Sequence, residues 1–289
     1  MDDMTGKVTV ITGGNTGIGK EAAVGLAGLG ARVVITSRNE ERGRAARDEI
    51  VERSGSHVVE VMPLDLASFG SIRSFAADVL DRYDRLDVLV NNAGLILLRR
   101  RETEDGFEET FGVNHLGHFL LTDLLLDRLR ASAPTRVVVV SSNAHKGARR
   151  GLDFDDLQGK GNYRWMDAYN KSKLANIYFT RELARRLDGT GITVNALHPG
   201  FVRSDFGRGG DLGGVYGWGI KYLASPFAIS AEKGARTTIH LASSPDVDGV
   251  TGGYFYKCRP ANPSSVAQDD AAAGRLWGVS EQLVASVAA

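Results

Sequence analysis

A tyrosine and a lysine four residues apart form the pair in this chain that is best suited to proton transfer. Tyr169 and Lys173 lie in a run, residues 169–186, whose pattern predicts a helix, and side chains at this spacing leave the same helical face. A tyrosine hydroxyl titrates near pH ~10, and a lysine cation beside it favours the phenolate and lowers that pKa. The pair therefore predicts a proton shuttle near neutral pH. A packed tyrosine beside an exposed lysine is the alternative, because this spacing also occurs by chance.

A glycine-rich turn near the N-terminus predicts a nucleotide site. Residues 7–12 form a β-branched apolar run, which is typical of a buried parallel strand, and residues 20–29 have a helical pattern. Between them stand Gly13, Gly14, Gly17 and Gly19, a spacing that differs from G-x-G-x-x-G. Glycines let the backbone approach a pyrophosphate, and the helix start supplies free N–H groups and a positive dipole end. The alternative is an ordinary turn between a strand and a helix.

The rest of the chain alternates between strand-like and helical runs, which indicates an α/β fold. Apolar strands separated by helices predict one doubly wound parallel sheet of about seven strands with helices on both faces. Ligands of such sheets bind beyond the carboxyl ends of the strands. We find no internal repeat and predict a single domain over residues 1–289. The predicted strands are residues 8–12, 32–36, 57–63, 88–91, 137–141, 193–198 and 253–256.

Seven short motifs in order resemble the short-chain dehydrogenase/reductase family over nearly the whole chain. They are Thr12 to Gly19, Asp65-Leu66, Asn91 to Gly94, Asn114, Ser141-Ser142, Tyr169 with Lys173, and Pro199-Gly200. The chain is most similar to the retinol-dehydrogenase-like branch, through residues 15–20, 36–39, 113–119 and 275–281. The resemblance implies a Rossmann-type domain and hydride transfer between a nicotinamide cofactor and a small-molecule carbonyl or alcohol.

The resemblance also implies four catalytic roles. Tyr169 would donate a proton in reduction and accept one in oxidation, and Lys173 would lower its pKa and hold the nicotinamide ribose. Ser142 would polarise the substrate carbonyl, and Asn114 would anchor a water that links the lysine to solvent. Successive strand residues point to opposite sides, so only one of Ser141 and Ser142 can face the site, and the resemblance favours Ser142. Taken alone, Asn114 would be a buried structural amide.

The end of the second predicted strand favours NADP(H) over NAD(H). A chain that uses NAD usually places a carboxylate there for the ribose 2′-hydroxyl, whereas this chain has Thr36-Ser37-Arg38. Arg38 offers a guanidinium for a 2′-phosphate, and Ser37 offers a hydroxyl. A surface arginine at a helix start is the alternative.

By resemblance, Asp65 and Leu66 contact the adenine, although Asp65 could equally cap the helix that follows. The turn from Asn91 to Gly94 would lie beside the ribose, with Asn91 structural. Pro199 to Ser204 would hold the nicotinamide, with serine where the family usually has threonine. The predicted cofactor-binding residues are Gly13, Asn15, Thr16, Gly17, Ile18, Gly19, Ser37, Arg38, Asn39, Asp65, Leu66, Asn92, Ala93, Gly94, Tyr169, Lys173, Pro199, Gly200, Val202 and Ser204.

Composition narrows the class of protein and its partners. Positive and negative side chains number 35 each, so the charge balance gives no reason to expect nucleic acid. Cys258 is the one cysteine, which favours a reducing cytoplasm. No apolar run approaches membrane-spanning length, and we expect a soluble protein with no metal. A homo-oligomer is left open.

Three features between the fifth predicted strand and the C-terminus bear on the substrate and its pocket. Residues 201–227 are rich in glycine and aromatic residues, which suits a lid over a bulky hydrophobic aldehyde, ketone or alcohol, or else a surface loop. Residues 266–289 would form an extension that packs over the site or covers an interface. His145 lies between the serine and the tyrosine and would line the pocket or simply be exposed. A cofactor-binding regulator without turnover is the alternative function, but the complete set of four catalytic residues favours an enzyme.

Overall fold

An eight-stranded sheet forms the centre of the computed structural model, which describes residues 2–202 and 228–287. The strand order is 3-2-1-4-5-6-7-8, with the first seven strands parallel and the last antiparallel. The strands are β1 (Val8–Ile11), β2 (Arg32–Ser37), β3 (Val59–Pro63), β4 (Val88–Asn91), β5 (Thr135–Val140), β6 (Ile192–Leu197), β7 (Tyr254–Tyr256) and β8 (Arg259–Pro260). This confirms the predicted fold class.

Strand β8 was not predicted, because it is only two residues long. It follows β7 through Lys257 and Cys258, whose φ angles are 51° and 59°. Two consecutive residues with positive φ make a tight turn whose twist matches that of the paired strands. The sequence gives no sign of it, since neither residue is a glycine.

Helices cover both faces of the sheet. Those described are α1 (Gly17–Gly28), α2 (Glu40–Ser54), α3 (Phe69–Arg82), α4 (Glu109–Phe111), α5 (Gly117–Ala131), α6 (Trp165–Arg186), α7 (Ala231–Ser243) and α8 (Asp270–Ala285). Alternate residues of each strand point to opposite faces of the sheet, so the strands contribute to two apolar cores. Val34 packs into the core formed with α3, α5 and α6, whereas Val33 and Ile35 pack into the core formed with α1, α2 and α7. None of the described helices is long and apolar enough to span a bilayer.

Two helix starts differ from prediction in ways that matter for the site. Helix α1 begins at Gly17, not at residue 20, so its first turn belongs to the glycine-rich segment. Helix α6 begins at Trp165, not at residue 169, so one helical turn precedes Tyr169. Between α4 and α5 the chain passes through a π-helical turn, Gly112–Leu116. Turns of this kind are rare and frequently mark functional sites.

Candidate active site

The structure brings the four predicted catalytic residues together at the carboxyl end of β5. The hydroxyl of Tyr169 lies close enough to the side chain of Ser142 for the serine to lower the tyrosine's pKa. Lys173 lies on the same face of α6, with its Nζ 5.8 Å from the centre of the tyrosine ring, and donates to the carbonyl oxygen of Val140 at 3.1 Å. A Cβ added to Gly94 would lie 3.2 Å from Asn114 Oδ1 and 3.3 Å from Lys173 Nζ, so a side chain here would press on both of these groups.

The two adjacent serines have different partners, as strand alternation requires. Ser141 is buried and donates to the backbone oxygen of Lys173 at 2.7 Å, which fixes α6 to the end of β5. Ser142 begins the short helical turn Asn143–Gly147 and accepts from the amide of Ala144 at 3.1 Å. Ser142 is therefore the serine that lies beside Tyr169.

Asn114 lies in the π-helical turn, fully buried, with its amide engaged within the protein. Its Oδ1 accepts from the amide of Leu95 at 2.8 Å. Its Nδ2 donates to the carbonyl oxygen of Leu95 at 3.0 Å and to Ser172 Oγ at 2.9 Å. These bonds tie the segment after β4 to α6. The water-anchoring role that the resemblance implied stays a prediction.

Burial sets the protonation of the tyrosine and the lysine. Loss of solvent raises the pKa of Tyr169 to about 12, and the hydrogen bond from Ser142 offsets this only in part. Burial lowers the pKa of Lys173 to about 8. The sequence argument expected the lysine to bring the pKa of the tyrosine toward neutral, whereas that pKa is raised, because desolvation is the largest influence on it. At neutral pH the tyrosine is a proton donor beside a mostly charged lysine.

The glycine turn has the backbone shape of a phosphate cradle. Gly13 and Gly17 have φ angles of 64° and 52°, which side-chain-bearing residues rarely adopt. A Cβ on Gly19 would lie 2.5 Å from the carbonyl oxygen of Gly13, so the turn closes only around glycine. Thr16 precedes α1 without a side-chain hydrogen bond to it. The predicted residues Asn15 and Ile18 belong to the same turn and helix start, whose N–H groups suit a pyrophosphate.

Sequence reasoning missed two residues that join this turn to the ribose segment. Thr12 Oγ1 accepts from the amides of Asn92 and Ala93 at 2.9 Å and 3.0 Å. His118 lies 2.9 Å from the same hydroxyl through its Nε2, and its Nδ1 contacts the backbone oxygen of Asn114 at 3.2 Å. The spacing of Asn114 and His118 by four helical residues was the available signal. The partner Thr12, 106 residues away, could not be read from spacing.

The residues predicted to bind the 2′-phosphate, Ser37, Arg38 and Asn39, lie at the carboxyl end of β2. Arg38 is exposed and forms no ion pair with another described residue. Ser37 is buried, and its hydroxyl donates to the backbone oxygen of Asn39 at 2.8 Å. Asn39 caps α2 by accepting from the amide of Arg42 at 2.8 Å. Ser37 and Asn39 thus hydrogen-bond the neighbouring backbone, whereas the side chain of Arg38 points to solvent.

The structure describes both residues predicted to contact the adenine and part of the segment predicted to hold the nicotinamide. Asp65 accepts from the amide of Ala67 at 3.0 Å, while Ser68 caps α3, so the alternative that Asp65 is this helix cap is wrong. Leu66 is buried, and its carbonyl oxygen would lie 2.7 Å from a Cβ on Gly117.

After β6, Pro199 leads into Gly200, whose φ is 91°. Val202 forms a β-bridge with Ile229. A Cβ on Gly234 would lie 2.7 Å from Cγ2 of Val202. Ser204 and all but the first two residues of the predicted lid lie outside the described residues.

The site fits a nicotinamide dinucleotide. Glycines at the first turn and at Gly94 leave space that a Cβ would fill, and the buried cation of Lys173 lies beside that space. Within residues 2–202 and 228–287, no group of three or more histidine, cysteine or acidic side chains is placed to hold a metal ion.

Comparison with known proteins agrees with this arrangement. A family model described as short chain dehydrogenase matches residues 7–153 and 156–210. Human retinol dehydrogenase 14 is 45% identical over 294 residues, which cover 97% of this chain and 87% of that protein. A crystal structure of an uncharacterised protein from Mycobacterium paratuberculosis has a TM-score of 0.78 at 36% identity, covering 98% of this chain and 95% of the other. An active-site complex with NADP from Pseudomonas aeruginosa has a TM-score of 0.68 at 28% identity, covering 88% and 97%.

Proposed function

Because the chain belongs to the short-chain dehydrogenase family, and is therefore a hydride-transferring oxidoreductase, we propose that it uses NADPH to reduce a bulky hydrophobic aldehyde or ketone. The observation that carries the proposal is that the side chains of Tyr169 and Ser142 lie together beside the buried Lys173. This arrangement offers a carbonyl oxygen two hydroxyl groups and one nearby positive charge.

The side chains would divide the work as follows. When bound, NADPH supplies the hydride. Ser142 would polarise the carbonyl by hydrogen bonding to its oxygen, and Tyr169 would give that oxygen a proton. With a pKa of about 12, the tyrosine holds its proton at neutral pH until the developing alkoxide takes it. The charge of Lys173 would stabilise the phenolate left behind.

The preference for NADPH rests on Arg38. Its side chain is exposed, follows a strand that ends without a carboxylate, and forms no ion pair with another described residue. A free guanidinium at this place suits a 2′-phosphate. The NADP complex of the related Pseudomonas aeruginosa protein supports this choice.

The hydrophobic substrate class is supported by two exposed apolar side chains. Met166 is 45% exposed and precedes Tyr169 by three residues, so it shares a face of α6 with it. Phe201 is 53% exposed and follows the turn at Gly200. Exposed side chains of this size suit contact with an apolar ligand. Reduction of retinal does not follow from the name of the human relative.

The test is NADPH consumption by the purified chain with aldehydes and ketones of increasing chain length and ring content. The proposal predicts turnover that improves with hydrophobic bulk and is weaker with NADH. Tight NADPH binding without turnover on any carbonyl compound would instead favour a silent regulatory protein.

The cytoplasmic location expected from the single cysteine is a proposal too, and fractionation of cells expressing the chain would test it.

A further inference from the structure

The last part of the described chain contacts both segments that carry catalytic groups. We define residues 264–285 as the C-terminal brace. At one end, the amide of Ser264 donates to Nε2 of His145 at 3.1 Å. Near the other end, Ser280 Oγ lies 2.8 Å from Nε2 of His115. His145 is three residues after Ser142, and His115 follows Asn114 directly, so each contact lies next to a catalytic residue.

The partners of His145 fix its protonation. The side chain is fully buried, and its Nδ1 lies 2.7 Å from the carbonyl oxygen of Ser142. Because a carbonyl can only accept and an amide N–H can only donate, Nδ1 carries the proton and Nε2 accepts from Ser264. Burial also lowers the pKa of this histidine, which favours the neutral ring. One imidazole therefore links the backbone of the catalytic serine to the brace.

The contact at His115 is defined in the same way. Ser280 donates its hydroxyl proton to the carbonyl oxygen of Leu276 at 2.8 Å, so it can only accept from His115, whose Nε2 carries the proton. His115 is 2% exposed and belongs to the π-helical turn that holds Asn114. The brace thus reaches the second catalytic segment through another buried neutral histidine.

The brace is itself held firmly on the catalytic helix. Trp277 stacks on Phe179 of α6, with ring centres 6.0 Å apart and planes 3° apart. Tyr178 donates its hydroxyl to the carbonyl oxygen of Val266 at 2.9 Å, and Arg181 pairs with Asp270 at 2.7 Å. These contacts lie on α6, which also carries Tyr169. The brace that contacts His145 and His115 is therefore fixed to the same helix that holds the proton donor.

We propose that the C-terminal brace positions the active site, and that His145 is the positioning residue that sets Ser142 against Tyr169. This rests on the proposed function, in which Ser142 polarises the substrate carbonyl. The hydroxyl of Ser142 can serve the developing alkoxide only when its backbone is fixed, since preorganised donors cost no reorganisation during the reaction. A bond from His145 to the serine's own carbonyl, anchored at Ser264, supplies that restraint.

Three substitutions separate positioning from space filling. His145→Leu removes both ring hydrogen bonds and keeps an apolar side chain. His145→Asn retains a donor near the position of Nδ1, toward Ser142, whereas His145→Gln places its amide near the position of Nε2, toward Ser264. The control is His57→Leu, the same change at an exposed histidine.

The measurements are kcat and KM with NADPH and the best carbonyl substrate, NADPH affinity, and hydrogen exchange of the peptides covering residues 141–148 and 7–19. We expect His145→Leu to lower kcat roughly ten- to hundredfold, as loss of a buried hydrogen-bond link would, and to speed exchange in residues 141–148. NADPH affinity and exchange in residues 7–19 should stay unchanged. His145→Asn should recover more of kcat than His145→Gln.

The outcomes distinguish the two proposals. Wild-type kcat and unchanged exchange at residues 141–148 in His145→Leu, even with a lower melting temperature, would overturn the brace and leave the reductase intact. Faster exchange there in a protein whose wild type reduces no carbonyl compound would overturn the reductase and support the brace. If His145→Leu does not fold, an Asn variant no better than the Gln variant contradicts the assignment.

Discussion

The protonation of Lys173 gives the sharpest prediction for the chemistry. Its pKa is lowered to about 8 by burial, while that of Tyr169 is raised to about 12. Reduction needs the tyrosine protonated and, in this account, the lysine charged. The tyrosine keeps its proton across the accessible range, so the lysine alone should shape the profile. A group with a lowered pKa loses its charge early as pH rises, and reductive kcat/KM should fall above pH 8.

The size of the fall follows from the titration. One pH unit above the pKa, about a tenth of the lysines keep their charge, so kcat/KM at pH 9 should be about a tenth of its neutral plateau. The fall should approach tenfold per pH unit. Oxidation of the matching alcohol should behave differently, because it needs the tyrosine to lose its proton, and should gain rate as pH rises until the lysine titrates.

The assay is kcat/KM for NADPH-dependent reduction, measured at constant ionic strength from pH 6 to 10 under subsaturating substrate, since this ratio reports the free enzyme. Lys173→Met should abolish the inflection together with most of the activity. The matched control is Lys171→Met, because Lys171 lies two residues away on the same helix and is ion-paired at the surface with Asp167. A wild-type profile that stays flat to pH 10 would show that the charge of Lys173 is not needed for reduction.

Two further predictions follow from side chains at the site. Arg38→Asp should weaken NADPH by roughly ten- to a hundredfold, the value of a charge-assisted hydrogen bond, and leave NADH nearly unchanged; equal losses in calorimetric titrations would argue against the 2′-phosphate role. Ser142→Ala should lower kcat by about 10²–10³-fold, as loss of one oxyanion donor does. Ser141→Ala, which removes only the bond to the Lys173 backbone, should cost about 1 kcal/mol of stability by denaturation and keep kcat. The reverse ranking of the two serines would contradict the assignment.

Features defined by local spacing could be predicted from the sequence. The glycine turn and the Tyr169–Lys173 pair depend on residues within one turn and one helix, and the strands depend on short apolar runs. Their alternation was enough to predict the parallel sheet, and the structure confirms that the first seven strands are parallel. The strand order is known only from the structure. The start of α1 was placed three residues too late, because Gly17 and Gly19 look like part of a turn by composition although the helix already includes them.

Features that depend on packing could not be predicted. Spacing alone suggested that Lys173 lowers the pKa of Tyr169, yet the depth at which both side chains are buried decides the direction. The π-helical turn around Asn114 has no pattern that distinguishes it from an ordinary helix. The contact between His145 and Ser264 joins residues 119 positions apart, so the exposed alternative for this histidine is wrong and only the fold reveals it.

The role of Tyr169 is tested most directly by single-turnover NADPH oxidation in wild type and Tyr169→Phe, with NADPH affinity measured on both. We expect the variant to bind NADPH as tightly as wild type and to show no carbonyl-dependent oxidation, because the ring is kept and only the donated proton is lost. Carbonyl-dependent oxidation by Tyr169→Phe at a rate near that of wild type would contradict it.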